Sequence, residues 1–228
     1  MVGSAILIAI DGPAGAGKSA VARELAVRLG LPYVDTGAMY RAVALLSLRA
    51  GIGEPFDEDG RRRVAELAAT MEIAFEGDPR TQRVLLAGAD VTTALRDPEV
   101  SHMSSVVSAL PEVRRELVRR QRALAGAGGG VVEGRDIGTV VFPDAPVKIF
   151  LTASPEVRAG RRFDELRRRG VDVRWEDVLA EQVERDRRDA SRPDSPLRPA
   201  PGAVIVDTSG LSLAEAVERL RRLIAAGA

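Results

Sequence analysis

The chain has 228 residues, 45% of them hydrophobic, and its 33 basic and 33 acidic side chains give a formal net charge of zero. This length and composition predict one domain with a proper core and room for a small insertion. Neutral net charge and an aromatic content of 4% argue against a nucleic-acid partner. The sequence has no cysteine, no signal-peptide pattern and no apolar run near the roughly 18–20 residues of a membrane span, so we expect a cytoplasmic protein with no membrane partner.

Short apolar segments alternate with helical patterns along the chain. The segments predicted to be strands are residues 5–10, 32–35, 130–133, 147–151 and 203–207. Most are continuous apolar runs, which is typical of strands that helices cover on both faces of a parallel sheet. The predicted helices are residues 20–29, 38–50, 111–124, 155–168, 175–189 and 213–226. This alternation predicts an α/β fold built on a mostly parallel sheet.

One region interrupts the alternation. Residues 71–76 and 82–87 are short apolar segments that flank a Gly-Asp-Pro turn, and a third segment follows at residues 89–91. Two such segments around a turn of this composition predict a β-hairpin. We therefore predict a small insertion with short antiparallel strands that covers a substrate. The predicted domains are a core of residues 1–50 and 103–228 and an insertion of residues 51–102.

The first predicted strand is followed at once by a glycine-rich segment with the pattern G-x-x-x-x-G-K-[ST]. Its residues are Gly12, Pro13, Ala14, Gly15, Ala16, Gly17, Lys18 and Ser19. The glycines let backbone N–H groups turn towards an anion, and the helix predicted to follow adds the positive end of its dipole. In such a phosphate-binding loop (P-loop), Lys18 reaches the β- and γ-phosphates and the Ser19 hydroxyl ligates Mg²⁺. The segment therefore predicts binding of a nucleoside triphosphate.

A second feature is a set of arginines at helical spacing. Arg185, Arg188 and Arg192 follow the i, i+3, i+7 pattern, so one helix could present all three on one side. Arginine suits phosphate because its planar guanidinium binds two oxygens at once and stays charged. A solvated helix with ion pairs to Asp186 and Asp189 explains the same spacing, and spacing alone does not decide between the two interpretations.

Four segments carry a resemblance to a known family: residues 11–19, 35–41, 134–151 and 184–189. In these segments, and in their order along nearly the whole chain, the sequence resembles the bacterial cytidylate kinases. The stretch Gly-Arg-Asp-Ile-Gly-Thr-Val-Val-Phe-Pro is the most specific, since P-loops occur in very many enzymes. The resemblance implies a three-layer P-loop NTPase fold with a five-stranded parallel sheet, an insertion that binds the nucleoside monophosphate, and an arginine-bearing lid at about residues 158–175.

The resemblance also implies an activity and roles for individual residues. The implied reaction is transfer of the γ-phosphate of ATP to CMP or dCMP with Mg²⁺ as cofactor, and we expect a monomer. Lys18, Arg161, Arg162 and Arg188 would act on the phosphates, with Arg188 near the transferred group. ATP would be held by residues 12–19 with Ala20, and by Arg158 against adenine. The residues implied for CMP are Thr36, Arg41, Ser105, Arg114, Arg135, Asp136, Arg185, Asp189 and Arg192.

Within the implied CMP site, different residues serve different parts of the nucleotide. Asp136 would bind the base together with Ser105 and Arg114, and Asp189 would bind the sugar together with Arg185. The residues implied for the phosphate are Arg41, Arg135, Arg185 and Arg192. A carboxylate at position 136 suits cytosine, because it accepts a hydrogen bond from the N4 amino group and repels the O4 of uracil. The acceptor phosphate is ionised near neutral pH, so we expect positioning and charge neutralisation rather than a general base.

Two positions depart from the common pattern of the family. Ala20 stands where Thr is frequent, and Glu133 stands where Asp also occurs. Both departures bear on nucleotide and Mg²⁺ affinity rather than on the class of reaction. Two alternatives also remain open: a kinase of the same fold that acts on UMP, AMP or a non-nucleotide acceptor, and a nucleotide-binding switch with no small acceptor.

Overall fold

The computed structural model describes residues 6–126, 128–192 and 194–227. In chain order the strands and helices are β1 (Leu7–Asp11), α1 (Lys18–Leu29), β2 (Tyr33–Asp35), α2 (Thr36–Arg49), α3 (Glu58–Thr70), β3 (Ile73–Glu76), β4 (Arg83–Leu86), β5 (Ala89–Asp90), α4 (Pro98–Val107), α5 (Pro111–Ala125), β6 (Gly130–Glu133), β7 (Val147–Thr152), α6 (Pro155–Arg168), α7 (Trp175–Ser191), β8 (Val204–Asp207) and α8 (Leu213–Ala225). A 3₁₀ turn at Ala94–Arg96 precedes α4, and a π-helical turn at Ile137–Val141 follows β6. Ala5, the start of the first predicted strand, lies outside the described residues.

Five strands form the central sheet in the order β2-β6-β1-β7-β8, and every neighbouring pair is parallel. Strand β1 lies in the middle, with Ile8 opposite Val131 of β6 and Val147 of β7. Because side chains alternate between the faces of a strand, Ile8 and Ile10 pack with α1 and α8, whereas Ala9 packs on the other face with residues of α5. Helices thus cover both faces, and the predicted α/β fold with a five-stranded parallel sheet is confirmed.

The carboxyl ends of three neighbouring strands place buried acidic residues side by side. Asp11, Asp35 and Glu133 are the last residues of β1, β2 and β6, and all are buried. In open α/β sheets, ligands bind outside the carboxyl ends of the strands. The three segments that follow these residues include the P-loop, the start of α2 and the stretch that carries Arg135 and Asp136. The topology therefore brings the motifs found in the sequence to one edge of the sheet.

A second, antiparallel sheet lies within residues 51–102, in the order β3-β4-β5. Ile73 lies opposite Leu86 in this sheet. Val84 and Leu86 are buried in a hydrophobic cluster that also contains residues of α2, α4 and α5. The small sheet is therefore packed on helices of the core. The domain boundaries stay a prediction, and the one placed at residue 102 falls inside α4.

The sequence-based prediction misses α3 and α4. The buried residues of α3 are only Gly60, Val64 and Ala68, which are small and four apart, and charged residues occupy most other positions. Because the buried stripe is so narrow, the helical periodicity of apolar residues in this segment is weak. Helix α4 begins at Pro98, a residue favoured at the first helical position. Its buried face includes serines, which a search for apolar periodicity passes over.

The helices are of ordinary length for a globular protein. Among those described, α7 is the longest, with 17 residues. Within residues 6–126, 128–192 and 194–227, none combines the length and the apolar character that a membrane-crossing helix requires.

Candidate active site

A cavity of about 430 Å³ opens at the carboxyl edge of the central sheet. The predicted site residues that line it are Ala14, Gly15, Gly17, Lys18, Ser19, Ala20, Thr36, Arg41, Ser105, Arg114, Arg135, Asp136, Arg161, Arg162, Arg185, Asp189 and Arg192. The residues implied for ATP and for CMP therefore border one continuous space. The predicted site residues that do not line it are Gly12, Pro13, Ala16, Arg158 and Arg188.

The P-loop lies so close to its neighbours that two of its glycines leave no room for a side chain. At Gly12, with φ +144°, a Cβ would lie 2.0 Å from the carbonyl oxygen of Leu151. At Gly15, with φ +76°, a Cβ would lie 2.8 Å from the Cβ of Arg158. Only glycine adopts such conformations without strain. Gly17 directly precedes α1 and offers no side-chain cap, so the first N–H groups of the helix remain available to an anion.

The ammonium of Lys18 is buried inside this loop. It donates a hydrogen bond of 2.7 Å to the carbonyl oxygen of Pro13. Burial lowers the pKa of Lys18, the positive charges of Arg135 and Arg185 lower it further, and Glu133 acts in the opposite direction. An approaching anion favours the charged form of such an ammonium. Lys18 can therefore exchange a loop carbonyl for a phosphate oxygen.

Arg158 lies beneath the P-loop rather than in the cavity. Its side chain is buried, and its guanidinium donates to the carbonyl oxygens of Ala153 at 2.8 Å and Ala14 at 3.3 Å and to Asp186 at 2.9 Å. These bonds join the segment directly after β7, the P-loop and α7. The contact between Arg158 and adenine stays a prediction.

Two other arginines of α6 do line the cavity. Arg161 donates to the carbonyl oxygens of Gly15 at 3.2 Å and Thr208 at 2.7 Å. Arg162 lies 3.1 Å from Glu165, one turn along the same helix. Both guanidinium groups thus reach the space beside the P-loop from the α6 side, where the phosphates of a bound nucleotide would lie.

Several arginines that line the cavity lie close enough to one another for their charges to interact. Burial lowers the pKa of Arg185 to about 10, and the positive charges of Arg135, Arg41 and Arg162 act in the same direction, against Asp189. The Nε of Arg185 is buried and has no hydrogen-bond partner among the described residues. Positive charges that repel one another in this way raise the free energy of the folded protein unless an anion lies between them. The arrangement is therefore suited to binding phosphate.

Two buried carboxylates orient these arginines. Asp189 accepts a hydrogen bond of 3.0 Å from Nε of Arg135 and another from Arg192. Burial alone would raise the pKa of Asp189, but the charges of Arg135, Arg192 and Arg185 outweigh it and hold the pKa below its usual value. Asp35 caps α2 and accepts a hydrogen bond of 2.9 Å from Arg41. Each carboxylate thus fixes guanidinium groups at the border of the cavity.

The other end of the cavity is formed by Asp136 and its neighbours. The carboxylate of Asp136 forms an ion pair with Arg114, which also donates to the Ser108 carbonyl oxygen at 3.3 Å. The Ser105 hydroxyl is buried there without a partner among the described residues. The Tyr40 ring lies 5.9 Å from the Arg114 guanidinium carbon. This end therefore presents a carboxylate, a hydroxyl and an aromatic wall, which is a set that can bind a nucleobase.

Sequence reasoning missed several residues of the cavity. Ser101 and Ser104 line it together with Ser105 and Ser108, so three hydroxyl side chains follow one face of α4 and a fourth lies directly after its last residue. The i, i+3, i+4, i+7 spacing of these serines was the signal, but it has meaning only once α4 is known to be a helix. Arg23 of α1 also lines the cavity, 3.8 Å from Asp35.

Arg188 does not line the cavity, although its neighbours Arg185 and Asp189 do. Its Nε is 3.8 Å from Glu184. The same Nε is buried without a hydrogen-bond partner among the described residues. A role for Arg188 towards the transferred phosphoryl group stays a prediction, and it requires the side chain to move from Glu184.

The donors near the P-loop fit a magnesium ion that is held mainly by a substrate. Within the described part of the chain, no three acidic or histidine side chains form a metal site. Ser19 supplies a hydroxyl to the cavity, and Glu133 and Asp35 line the same space. Burial raises the pKa of Glu133, as does the charge of Asp35, whereas Lys18, Tyr33 and the Ser19 hydroxyl lower it. Oxygen donors, few of them from protein, are the usual set for Mg²⁺ beside nucleotide phosphates.

Comparison with known proteins identifies relatives of the whole described chain. A family model described as cytidylate kinase matches residues 8–226. The chain is 51% identical over 224 residues to the cytidylate kinase of Corynebacterium efficiens, a match that covers 98% of this chain and 96% of the relative. It is 48% identical over 224 residues to the cytidylate kinase of Caldanaerobacter subterraneus subsp. tengcongensis, with the same two coverages. It is also 50% identical over 220 residues to the bifunctional pantoate ligase/cytidylate kinase of Synechococcus sp. (strain JA-3-3Ab), and it spans 40% of that longer protein.

Proposed function

The chain belongs to the cytidylate kinase family, and we propose that it transfers the γ-phosphate of ATP to CMP and dCMP in the cavity that joins the P-loop to Asp136. Family membership gives the class of reaction, phosphoryl transfer to a cytidine monophosphate, and the residue roles below are our proposal. The observation that supports them is the group of arginines around Arg185, which lines the same cavity as the P-loop and Asp136.

The donor nucleotide occupies the P-loop side. The N–H groups at the start of α1 bind the phosphates, and Lys18 leaves the carbonyl oxygen of Pro13 to bind the β- and γ-phosphates. Arg161 and Arg162 approach the same phosphates from α6. These three side chains stabilise the negative charge that shifts to the leaving oxygen during transfer.

The acceptor nucleotide occupies the side of Asp136. Its phosphate lies among Arg41, Arg135 and Arg185, with Arg192 beside them, and its sugar lies near Asp189. The base fills the end of the cavity, where the Asp136 carboxylate accepts a hydrogen bond from the N4 amino group of cytosine. Uracil would bring its O4 against this carboxylate, so CMP is bound in preference to UMP.

Transfer follows from holding the two nucleotides in line. A non-bridging oxygen of the CMP phosphate attacks the γ-phosphorus of ATP, the bond to the bridging oxygen of ADP breaks, and the negative charge passes to ADP. The attacking oxygen is already ionised, so no side chain has to remove a proton. Guanidinium groups between the two phosphates reduce their mutual repulsion, and an arginine placed in this way contributes about 10³–10⁵ to the rate of phosphoryl transfer.

One contact between the predicted lid and the predicted insertion supports a cover over the cavity. Arg169, in the connection between α6 and α7, lies 3.3 Å from Asp97, which precedes α4. We propose that this lid, at about residues 158–175, and the insertion close over the bound nucleotides. Closure excludes water, which would otherwise compete with CMP for the γ-phosphate.

The proposal includes a cofactor and a cellular setting. Mg²⁺ would be held by the Ser19 hydroxyl and the ATP phosphates, with Glu133 and Asp35 reaching it through water. When bound, it supplies positive charge to the phosphate oxygens. We propose a monomeric enzyme that works in the cytoplasm on ATP and CMP or dCMP, without a nucleic-acid or membrane partner.

The first test is to measure ADP formation from MgATP with CMP, dCMP, UMP and AMP in parallel. Turnover with CMP and dCMP, and little with UMP or AMP, is the expected result. Preferred turnover of another monophosphate would overturn the role of Asp136 and support a different kinase of this fold. ADP formation that no monophosphate stimulates would overturn the transfer itself and support a nucleotide-binding switch.

A further inference from the structure

One buried acidic residue is not used by the reaction described above. Asp11 ends β1 directly before Gly12, and it is only 2% exposed. One of its carboxylate oxygens accepts a hydrogen bond of 2.7 Å from the backbone N–H of Ile137, and the other accepts one of 2.7 Å from that of Gly138. Both oxygens therefore hold one short segment that lies more than a hundred residues further along the chain.

That segment is the start of the π-helical turn Ile137–Val141, directly after Asp136. The turn is closed by bonds from Val141 N to Asp136 O at 3.2 Å and from Phe142 N to Ile137 O at 2.7 Å. Turns of this type are rare and are frequent at functional sites. At its far end, Arg122 donates to the carbonyl oxygens of residues 140 and 141 at 2.8 and 2.9 Å. The turn is thus held at both ends by side chains from other elements.

The side chain of Asp136 does not cap the turn that it begins. An aspartate at the residue before a helical turn normally accepts a hydrogen bond from the unpaired N–H groups of that turn. Asp136 occupies this position but makes no such bond, and its carboxylate points to Arg114 in the cavity. A cap side chain accepts from the N–H two or three residues further on, and the N–H of Gly138, two residues after Asp136, donates to Asp11 instead, as does that of Ile137. A Cβ at Gly138 would lie in van der Waals contact with Oδ2 of Asp11, at 3.4 Å.

We propose that Asp11 is a positioning residue that caps the π-helical turn in place of Asp136 and thereby leaves the Asp136 carboxylate free to select the acceptor base. This inference rests on the proposed function, in which Asp136 binds cytosine. Asp11 also links the P-loop to the acceptor pocket. Its backbone precedes Gly12, and its side chain accepts the hydrogen bonds from the π-helical turn. Without Asp11, the N–H of Gly138 would lose its acceptor, and the carboxylate of Asp136 would turn back from the cavity to accept its hydrogen bond.

The test uses the full chain and the ratio of kcat/KM for CMP to that for UMP. In Asp11→Asn, an amide NH₂ group replaces one of the two acceptor oxygens. This NH₂ group faces a backbone N–H, so two hydrogen-bond donors oppose each other. We expect the ratio to fall about 10-fold, with a higher KM for CMP. The same substitution in an Asp136→Asn background should change the ratio by less than about 2-fold, because the effect acts through Asp136. A loss of thermal stability or of kcat for both acceptors alike, with the ratio unchanged, would overturn the proposal.

A second variant keeps the test decisive if Asp11→Asn does not fold. Arg122 is exposed and holds the other end of the turn, so Arg122→Gln should fold and lower the CMP to UMP ratio in the same direction by about 3-fold. An unchanged ratio in this variant would count against control of Asp136 by the turn. The wild type distinguishes failure of the proposed function from failure of this inference. If the wild type shows no CMP-dependent turnover, the proposed function is refuted. If it shows CMP-dependent turnover but the variants leave the CMP to UMP ratio unchanged, only the role of Asp11 is refuted.

Discussion

Arg114 and Asp136 form an ion pair at the border of the cavity, and each of the two side chains is only 6% exposed. A buried carboxylate that already has one strong donor keeps lone pairs for a second, and the amino group of cytosine can supply it. We expect Asp136→Ala to raise the KM for CMP by about 10- to 100-fold, and to change the KM for ATP by less than about 2-fold.

The matched control for this substitution is Asp144→Ala, which removes an exposed carboxylate outside the cavity. Steady-state kinetics with each nucleotide varied in turn measure both constants. Equal loss of apparent affinity for ATP and CMP in Asp136→Ala would contradict the assignment of Asp136 to the base.

Arg185 offers the sharpest test of the phosphate site. Its Nε has no partner among the described residues, and its charge lies next to Arg135. We expect Arg185→Ala to lower kcat/KM for CMP by about 10²–10³, because a donor aimed at the reacting phosphates is lost. Arg187→Ala is the control on the same helix, since Arg187 is exposed and pairs with Glu184. A similar loss in both variants would show that general damage to α7, rather than phosphate binding, explains the effect.

The sequence predicted the parts of the site that are carried by contiguous motifs. The P-loop fixes a strand, a glycine turn and a helix within one segment, so local rules suffice to place Lys18 and Ser19. The parallel sheet followed from the alternation of apolar runs and helical patterns, because both faces of each strand had to be covered. These predictions need only the periodicity of neighbouring residues.

What the sequence could not show depends on contacts between distant segments. Nothing local distinguishes Arg158 from Arg161 and Arg162, and only the packing of α6 against the P-loop buries the first and leaves the others at the cavity. The hydrogen bond that the N–H of Ile137 donates to Asp11 joins residues 126 positions apart and leaves no periodic pattern in the sequence. The serine face of α4 was hidden because hydroxyl side chains do not mark a buried face by hydrophobicity.

Removal of the metal should separate binding from transfer. With EDTA in place of Mg²⁺, we expect turnover to stop while CMP still binds, because arginines rather than the ion hold the acceptor phosphate. Ser19→Ala should raise the Mg²⁺ concentration that gives half-maximal rate by about 10-fold, and Ser19→Thr, which keeps the hydroxyl, should restore it. Calorimetric titration with CMP and a Mg²⁺ dependence of the rate measure these effects. Loss of CMP binding with EDTA would place the ion in the acceptor site instead.

The burial of Asp11 predicts a pH dependence of stability. Burial raises the pKa of Asp11 from 3.8 to about 6, the charge of Asp136 adds to this, and the N–H groups of Gly138 and Ile137 oppose it. Between these two values the folded protein binds a proton that the unfolded chain does not bind, so this residue's contribution to the free energy of unfolding grows as the pH falls. Protonation of Asp11 adds up to about 3 kcal/mol to the free energy of unfolding, and roughly half of this increase develops between about pH 7 and pH 5.

Asp11→Asn removes the titration of this carboxyl group. Urea unfolding of the wild type and of Asp11→Asn between about pH 7 and pH 5 therefore isolates the contribution of Asp11, because the two proteins share all other carboxyl groups. The free energy of unfolding of the wild type should rise relative to that of Asp11→Asn as the pH falls, since the proton neutralises a carboxylate that the fold keeps out of water. A difference that stays constant with pH would mean that Asp11 has the same proton affinity in the folded and unfolded chain. A difference that shrinks as the pH falls would mean that the two N–H bonds stabilise the carboxylate by more than burial costs it.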